Sequence, residues 1–148
     1  MNWVDLHDRL LPAKNWIVQN QLLDGSIPWD EKGKCDAWDH SECLISLAIY
    51  KEWEAFDKGV DWFFSNLNSQ GLIYSEFNNQ QPTQLNYQSH HAPYIALPLL
   101  QRYLIDKNLD HLNKYLPQLH TIFSSLLDFM DTDGMYYWSK DDLSLIHI

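Results

Sequence analysis

The sequence predicts an all-α fold in which antiparallel helical hairpins form an inner and an outer layer, an incomplete α/α toroid. Two observations predict it. First, one unit recurs: an apolar helix end, a polar link, a glycine, then Trp or Tyr three or four residues on. It runs from Ala13 to Trp29 around Gly25, from Gly59 to Tyr74 around Gly71, and from Ser124 to Trp138 around Gly134. Recurrence on this scale marks stacked supersecondary units. Second, helical segments that are apolar on one side alternate with segments apolar nearly all round. A one-sided helix lies at a surface and an all-round one is buried, so the second kind belongs inside a ring of the first. An ordinary helical bundle is the competing architecture.

Residues 4–20 form the first helix, because Val4, Leu6, Leu10, Ala13, Trp16 and Ile17 recur at mostly three- and four-residue steps. Asp24-Gly25 and Pro28 stop it. Residues 36–53 are apolar all round: from Cys43 to Tyr50 only Ser46 is polar. A buried strand is the alternative, but the length of the run and its lack of turn residues favour helix. Residues 56–67 are one-sided again through Val60, Phe63, Phe64 and Leu67, and residues 68–88 form a long polar loop. Residues 90–104 make a second all-round helix, with Pro93 in its first turn and Pro98 bending it. The last helical region, 109–130, carries Leu109, Leu112, Leu116, Leu119, Phe123, Leu126 and Met130, and Pro117 splits it so that the longer helix starts near Tyr115. Its short length and the proline argue against a coiled coil.

The chain has 148 residues, one domain's length, with 45% apolar content, enough for a core. Seven Trp suit wide helix interfaces and cavity walls. A net charge of −10 argues against nucleic acid or an anionic membrane as partner, since both require basic patches. Cys35 and Cys43 make no disulfide framework, which points to a reduced, cytoplasmic setting. The N-terminal residues lack a signal-peptide pattern, and no apolar stretch spans a bilayer. The toroid is expected over 1–142. Residues 143–148 continue no helical pattern and are expected to be foreign to the fold or disordered, the chain being the N-terminal part of a longer protein whose C-terminal part is missing.

Hairpin stacking gathers the links after the outer helices on one rim. That rim collects Trp29, Asp36, Trp38, Asp39, His40 and Glu42, then Tyr74, Glu76, Tyr87, His90 and His91, then Tyr136, Trp138, Asp141 and Asp142. On a helix Asp36, Asp39 and His40 share a face. A carboxylate beside a histidine can orient a general base, and two carboxylates can divide acid and base roles. Asp39, His40, Asp36 and Glu42 are therefore the catalytic candidates. Trp38, Glu76, Tyr87, His90, His91 and Trp138 are the substrate-binding candidates. Structural readings stand beside these. Asp36 or Asp39 can cap the helix, His90 and His91 can cap or pack, and Cys43 belongs to the core. Trp29, Tyr74 and Trp138 can plug each turn against the next hairpin. Asp39, His40 and His91 match no closed metal site, so no metal is assigned and the cofactor is left unknown.

Gln19 or Gln21, Gly25 and Trp29 resemble the glutamine–tryptophan motif of squalene–hopene cyclases. Around Gly71 the motif is altered, with Asn66 or Asn68 near the glutamine position and Tyr74 for Trp. The third copy lacks the glutamine. The resemblance implies the terpenoid cyclase and protein prenyltransferase α/α toroid superfamily, and with it an apolar or isoprenoid small-molecule substrate in a central cavity. The superfamily's acid motif is absent: Asp36-Ala37-Trp38-Asp39 and Asp131-Thr132-Asp133-Gly134 do not match it. Six-hairpin glycosidases are similar at the same coarse level, which makes a carbohydrate-active enzyme with rim carboxylates such as Asp39 and Glu76 the alternative, with a sugar as substrate. A non-catalytic helical-repeat scaffold is the second alternative.

Overall fold

A computed structural model describes residues 3–141 and 145–146. Helix α1 (Trp3–Asn20) is followed by strand β1 (Lys34–Cys35), then α2 (Ala37–Ile49) and α3 (Trp53–Ser65). Strands β2 (Glu76–Asn78), β3 (Gln81–Gln84) and β4 (Asn86–Gln88) lead through a 3-10 turn (Pro93–Ile95) into α4 (Ala96–Asp106). Helices α5 (Leu109–Asn113) and α6 (Leu116–Ser125) follow, then a second 3-10 turn (Leu126–Phe129) and strands β5 (Ser139–Asp141) and β6 (Leu145–Ile146).

The two layers are present. Helices α2 and α4 pack on each other as the inner pair, and α1, α3 and α5–α6 lie outside. Ala37, Leu44, Leu47 and Ala48 of α2, Phe56, Val60 and Phe63 of α3, and Ile95 and Leu99 at α4 form one core. The chain is thus an arc of an α/α toroid. Among the described residues no helix is long and apolar enough to cross a membrane.

The recurring unit is a recurring turn. Residue i donates its N–H to the carbonyl of i+4, and the glycine at i+3 donates back to i. This holds for Leu22, Gly25 and Ser26, for Asn68, Gly71 and Leu72, and for Asp131, Gly134 and Met135, all at 2.9–3.1 Å. The three glycines have φ of +98°, +79° and +82°, the left-handed region that L side chains resist. In the second and third copies the carboxamide of Asn68 and the carboxylate of Asp131 also accept from backbone N–H groups inside the turn. In the first copy Gln21, just past the end of α1, donates to the carbonyls of Gly25 and of Ala55 on α3, both at 2.9 Å.

The links do gather on one rim, stitched by short antiparallel sheets. Strand β1 of the first link pairs with β2 of the second, and β4 of the second with β5 of the third. The loop expected over 68–88 therefore contains strands. Asn79 and Gln80, both at positive φ, join β2 to β3 as a two-residue hairpin turn. Asn-Gln is a weak turn signal beside Asn-Gly, and the strands are three or four residues long, so periodicity did not reveal them.

Other details differ from expectation for definable reasons. Pro98 bends nothing, because α4 begins at Ala96 and the first-turn N–H groups have no helical acceptor to lose. The last helix turns a different stripe inward. Tyr115, Leu119, Ile122, Ser125 and Phe129 are buried, while Leu116, Phe123 and Met130 stand about half exposed. Of the tail expected to stand outside the fold, Leu145 and Ile146 pair with Lys140 and Ser139. Residues 142–144, 147 and 148, with Asp142 among them, lie outside the described residues.

Candidate functional site

Asp36 caps α2. Its backbone is extended and its carboxylate accepts from the Asp39 N–H at 2.7 Å. Burial raises both carboxyls, that of Asp36 to about 6. Glu42, one turn on, is exposed and accepts from the Tyr94 hydroxyl at 3.2 Å. Three carboxyls thus descend one strip of the inner helix from its positive end, and the upper two are held toward the protonated form.

Beside this strip is a nest of rings. His90 meets Trp38 edge-on at 5.0 Å, Trp138 at 4.5 Å and His91 at 4.7 Å, and Trp38 meets Tyr94 at 6.0 Å. Trp38 and Trp138 remain 38% and 46% exposed, so each presents ring surface to solvent. Both nitrogens of His90 and Nδ1 of His91 are enclosed and have no hydrogen-bond partner among the described residues. Burial lowers both histidines, His91 to about 3, so both are neutral near pH 7. A cavity of about 390 Å³ opens alongside, lined by Ser89, His90, Tyr94, Leu97, Phe123 and Tyr136 among others. The sequence placed His90 and His91 at the start of the 90–104 helix. They sit instead in the turn before Pro93, where the rings touch.

The remaining candidates lie elsewhere. His40 is wholly buried: its Nδ1 accepts from the Ile27 N–H at 3.2 Å, and its Nε2 donates to the Gly59 carbonyl at 2.9 Å. Burial drives it to about 4. With both nitrogens held by backbone and no exposed surface, it joins the first glycine turn to α3, which removes it from the catalytic candidates. Glu76 is tied to Lys34 at 2.6 Å and to the Thr83 hydroxyl at 2.8 Å, fastening the first rim sheet. Tyr87 is buried and stacks on Tyr74 at 4.9 Å over Leu72 and Phe129. Both therefore hold the rim together. Trp29 lies under the Lys34 ammonium at 4.4 Å. Burial pushes the Cys43 thiol up to about 12, which makes it inert core. Tyr94 is the site residue the sequence did not single out; its signal was its place one turn after His90. Among the described residues no three His, Cys, Asp or Glu side chains converge to hold a metal.

The Asp36 carboxylate is committed to the Asp39 N–H at 2.7 Å, whereas a glycosidic acid and its nucleophile or base flank the scissile bond as two carboxyls roughly 5–9.5 Å apart. The pair can therefore supply one member of such a couple, a proton donor, but not both.

Comparison with known proteins places the fold. No protein-family model matches the chain. A glycoside hydrolase of family 105 from C. acetobutylicum superposes with a TM-score of 0.69 at 16% identity, over 92% of this chain and 44% of that one. A family 8 endoglucanase from Klebsiella pneumoniae gives 0.63 at 23% identity, over 79% and 38%. The likeness is one of fold. Among curated proteins, the MMP endo-(1,4)-3-O-methyl-alpha-D-mannosidase of Mycolicibacterium hassiacum is 22% identical over 129 residues, 87% of this chain. The chain spans 36% of that relative's length. These are α/α toroid neighbours from among the glycosidases, so the toroid stands and the terpenoid cyclase and prenyltransferase reading, with its isoprenoid substrate, is overturned.

Proposed function

We propose that this chain is an arc of a glycoside-hydrolase-like α/α toroid and contributes sugar-stacking surface and a proton donor to a carbohydrate cleft. One observation carries the reading: two half-exposed Trp rings flank His90 beside a carboxyl pair raised toward neutrality. Sugar rings present apolar C–H faces that lie on aromatic surface, and their hydroxyls take up exposed polar atoms. Asp39, the more exposed of the pair, is the donor, and Asp36 holds it in place while capping α2. Trp38 and Trp138 are the stacking platforms, and Glu42 with Tyr94 offers a hydroxyl-binding edge. The partner carboxylate of the couple lies outside the Asp36–Asp39 pair, so binding is the direct test for this chain.

Intrinsic tryptophan fluorescence would be titrated with cello-oligosaccharides and with α-(1,4)-linked manno-oligosaccharides. At least one series is expected to shift the emission saturably, and Trp38→Ala and Trp138→Ala are each expected to weaken that binding. Asp39→Asn is expected to leave binding in place and, in an assembled toroid, to abolish release of reducing ends. The reading fails if neither series binds at millimolar concentration, or if binding survives loss of both Trp rings.

A further inference from the structure

Three enclosed side-chain nitrogens have no hydrogen-bond partner among the described residues, and all belong to adjacent histidines: Nδ1 and Nε2 of His90 and Nδ1 of His91. Folded chains rarely leave such atoms unpaired, because each gives up its bonds to water and gains none in exchange. Elsewhere this chain obeys the rule. The equally enclosed His40 has both nitrogens on backbone groups. The buried Ser41 and Ser125 hydroxyls donate to the Ala37 and Ile122 carbonyls. A ring at position 90 that served packing alone would be more stable without nitrogens.

The backbone around His90 is fixed. The Ser89 N–H donates to the Trp138 carbonyl at 2.9 Å and the His91 N–H to the Gln88 carbonyl at 3.1 Å. Gln88 of β4 also pairs with Ser139 of β5. What encloses the imidazole is other rings: Trp138 tilted at 4.5 Å, His91 at 4.7 Å and Trp38 edge-on at 5.0 Å. His91 is buried, whereas Trp38 and Trp138 both reach solvent, so indole rings form the solvent-side cover of His90. Trp138 is the more exposed of the two. Its carbonyl stays on Ser89 while its side chain is free to turn.

We propose that His90 is a saccharide-binding residue whose nitrogens are covered in the free protein: the Trp138 side chain rotates off the imidazole, and hydroxyls of the bound sugar become its hydrogen-bond partners. The inference rests on the carbohydrate reading above and adds to it the group that reads the hydroxyls. A neutral imidazole has one donor and one acceptor, and a hydroxyl is both, so either tautomer finds a match. Burial keeps the His90 ring neutral near pH 7. In the free protein the nest is held by ring contacts while the nitrogens go unpaired, and only ligand pairs them. Stability and affinity therefore pull in opposite directions at this residue.

His90→Phe on the full chain tests this, because it keeps a ring and removes both nitrogens. Urea unfolding is expected to show a higher midpoint than wild type. Calorimetric titration with cello-oligosaccharides and α-(1,4)-linked manno-oligosaccharides is expected to show binding about tenfold weaker than wild type, the loss of one or two neutral hydrogen bonds. In the wild type, saturating saccharide is expected to shift the His90 ring nitrogens in NMR spectra and to leave those of His40 in place. His90→Leu replaces the Phe variant if that one does not fold, and is judged on affinity. A variant that loses both stability and affinity marks His90 as a packing ring and overturns the proposal. Binding as tight as wild type, or His90 nitrogens unmoved at saturation, overturns it and leaves the carbohydrate reading standing. A wild type that binds neither series overturns both.

Discussion

Alanine placed at each of the three turn glycines separates backbone strain from collision. All three have positive φ, so each substitution carries the left-handed penalty of an L residue, about 1–2 kcal/mol. For Gly134 that is the whole cost, because nothing among the described residues lies within 4 Å of the new methyl group. At Gly71 the methyl group would stand 2.9–3.1 Å from the α6 backbone, which adds about 1 kcal/mol of overpacking. At Gly25 it would enter the Lys58 carbonyl, where helix backbone must move, adding about 2–3 kcal/mol. Expected losses are then about 1–2 kcal/mol for Gly134→Ala, about 2–3 for Gly71→Ala and about 3–5 for Gly25→Ala. At about 2–4 °C per kcal/mol for a chain of this size, Gly25→Ala should lower Tm by at least about 6 °C and Gly134→Ala by less than about 8 °C, with Gly71→Ala between. Urea unfolding followed by circular dichroism, with unchanged m values, gives the three free energies. Equal losses at Gly25 and Gly134 would refute the seating of the first turn on α3.

Other measurements probe the interior and the site. His40→Ala removes the acceptor for the Ile27 N–H and the donor to the Gly59 carbonyl and leaves a cavity, so a loss of about 2–4 kcal/mol in urea unfolding is expected. Arg102 is nearly buried between Asp57 at 2.6 Å and Asp106 at 2.9 Å and lies over Trp53 at 4.4 Å. Arg102→Ala should cost about 2–3 kcal/mol, discounted because Asp57 is half exposed, and Arg102→Met should cost less. His40 and His91 titrate near 4 and 3 when folded, below the ordinary 6.5, so their stabilising effect is complete above pH 6.5 and is lost as pH falls toward 4. Asp36, raised from 3.8 to about 6, acts in the opposite sense: its contribution is complete below pH 3.8 and is lost as pH rises through 6. Two groups against one predict a net loss of stability from pH 7 to pH 5, and His40→Asn should flatten that slope. Asp36→Asn keeps a capping acceptor without a charge to desolvate and should be neutral or stabilising at pH 8, whereas Asp36→Ala should cost about 1 kcal/mol.

What the sequence determined by itself was periodic. Glycines recurring after apolar helix ends, and the alternation of one-sided with all-round helices, were enough for the layered architecture, because a helix's burial follows from how its apolar residues are spaced. The same pattern set the helix boundaries near Pro117 and gathered the links on one rim. Tertiary structure decided everything that depends on which way a side chain turns once two elements meet. Asp39 and His40 are neighbours at the head of one helix, and about 100° of rotation per residue separates a carboxyl at the rim from an imidazole locked between two backbone groups. Glu76 and Tyr87 looked like ligand contacts until strand pairing brought Lys34 and Tyr74 against them. The ring nest joins Trp38, His90 and Trp138 from three distant stretches of the chain, and Gly25 and Gly71 each abut the backbone of a later helix. Distances of that kind are set by packing between segments far apart in the chain, which no local spacing encodes.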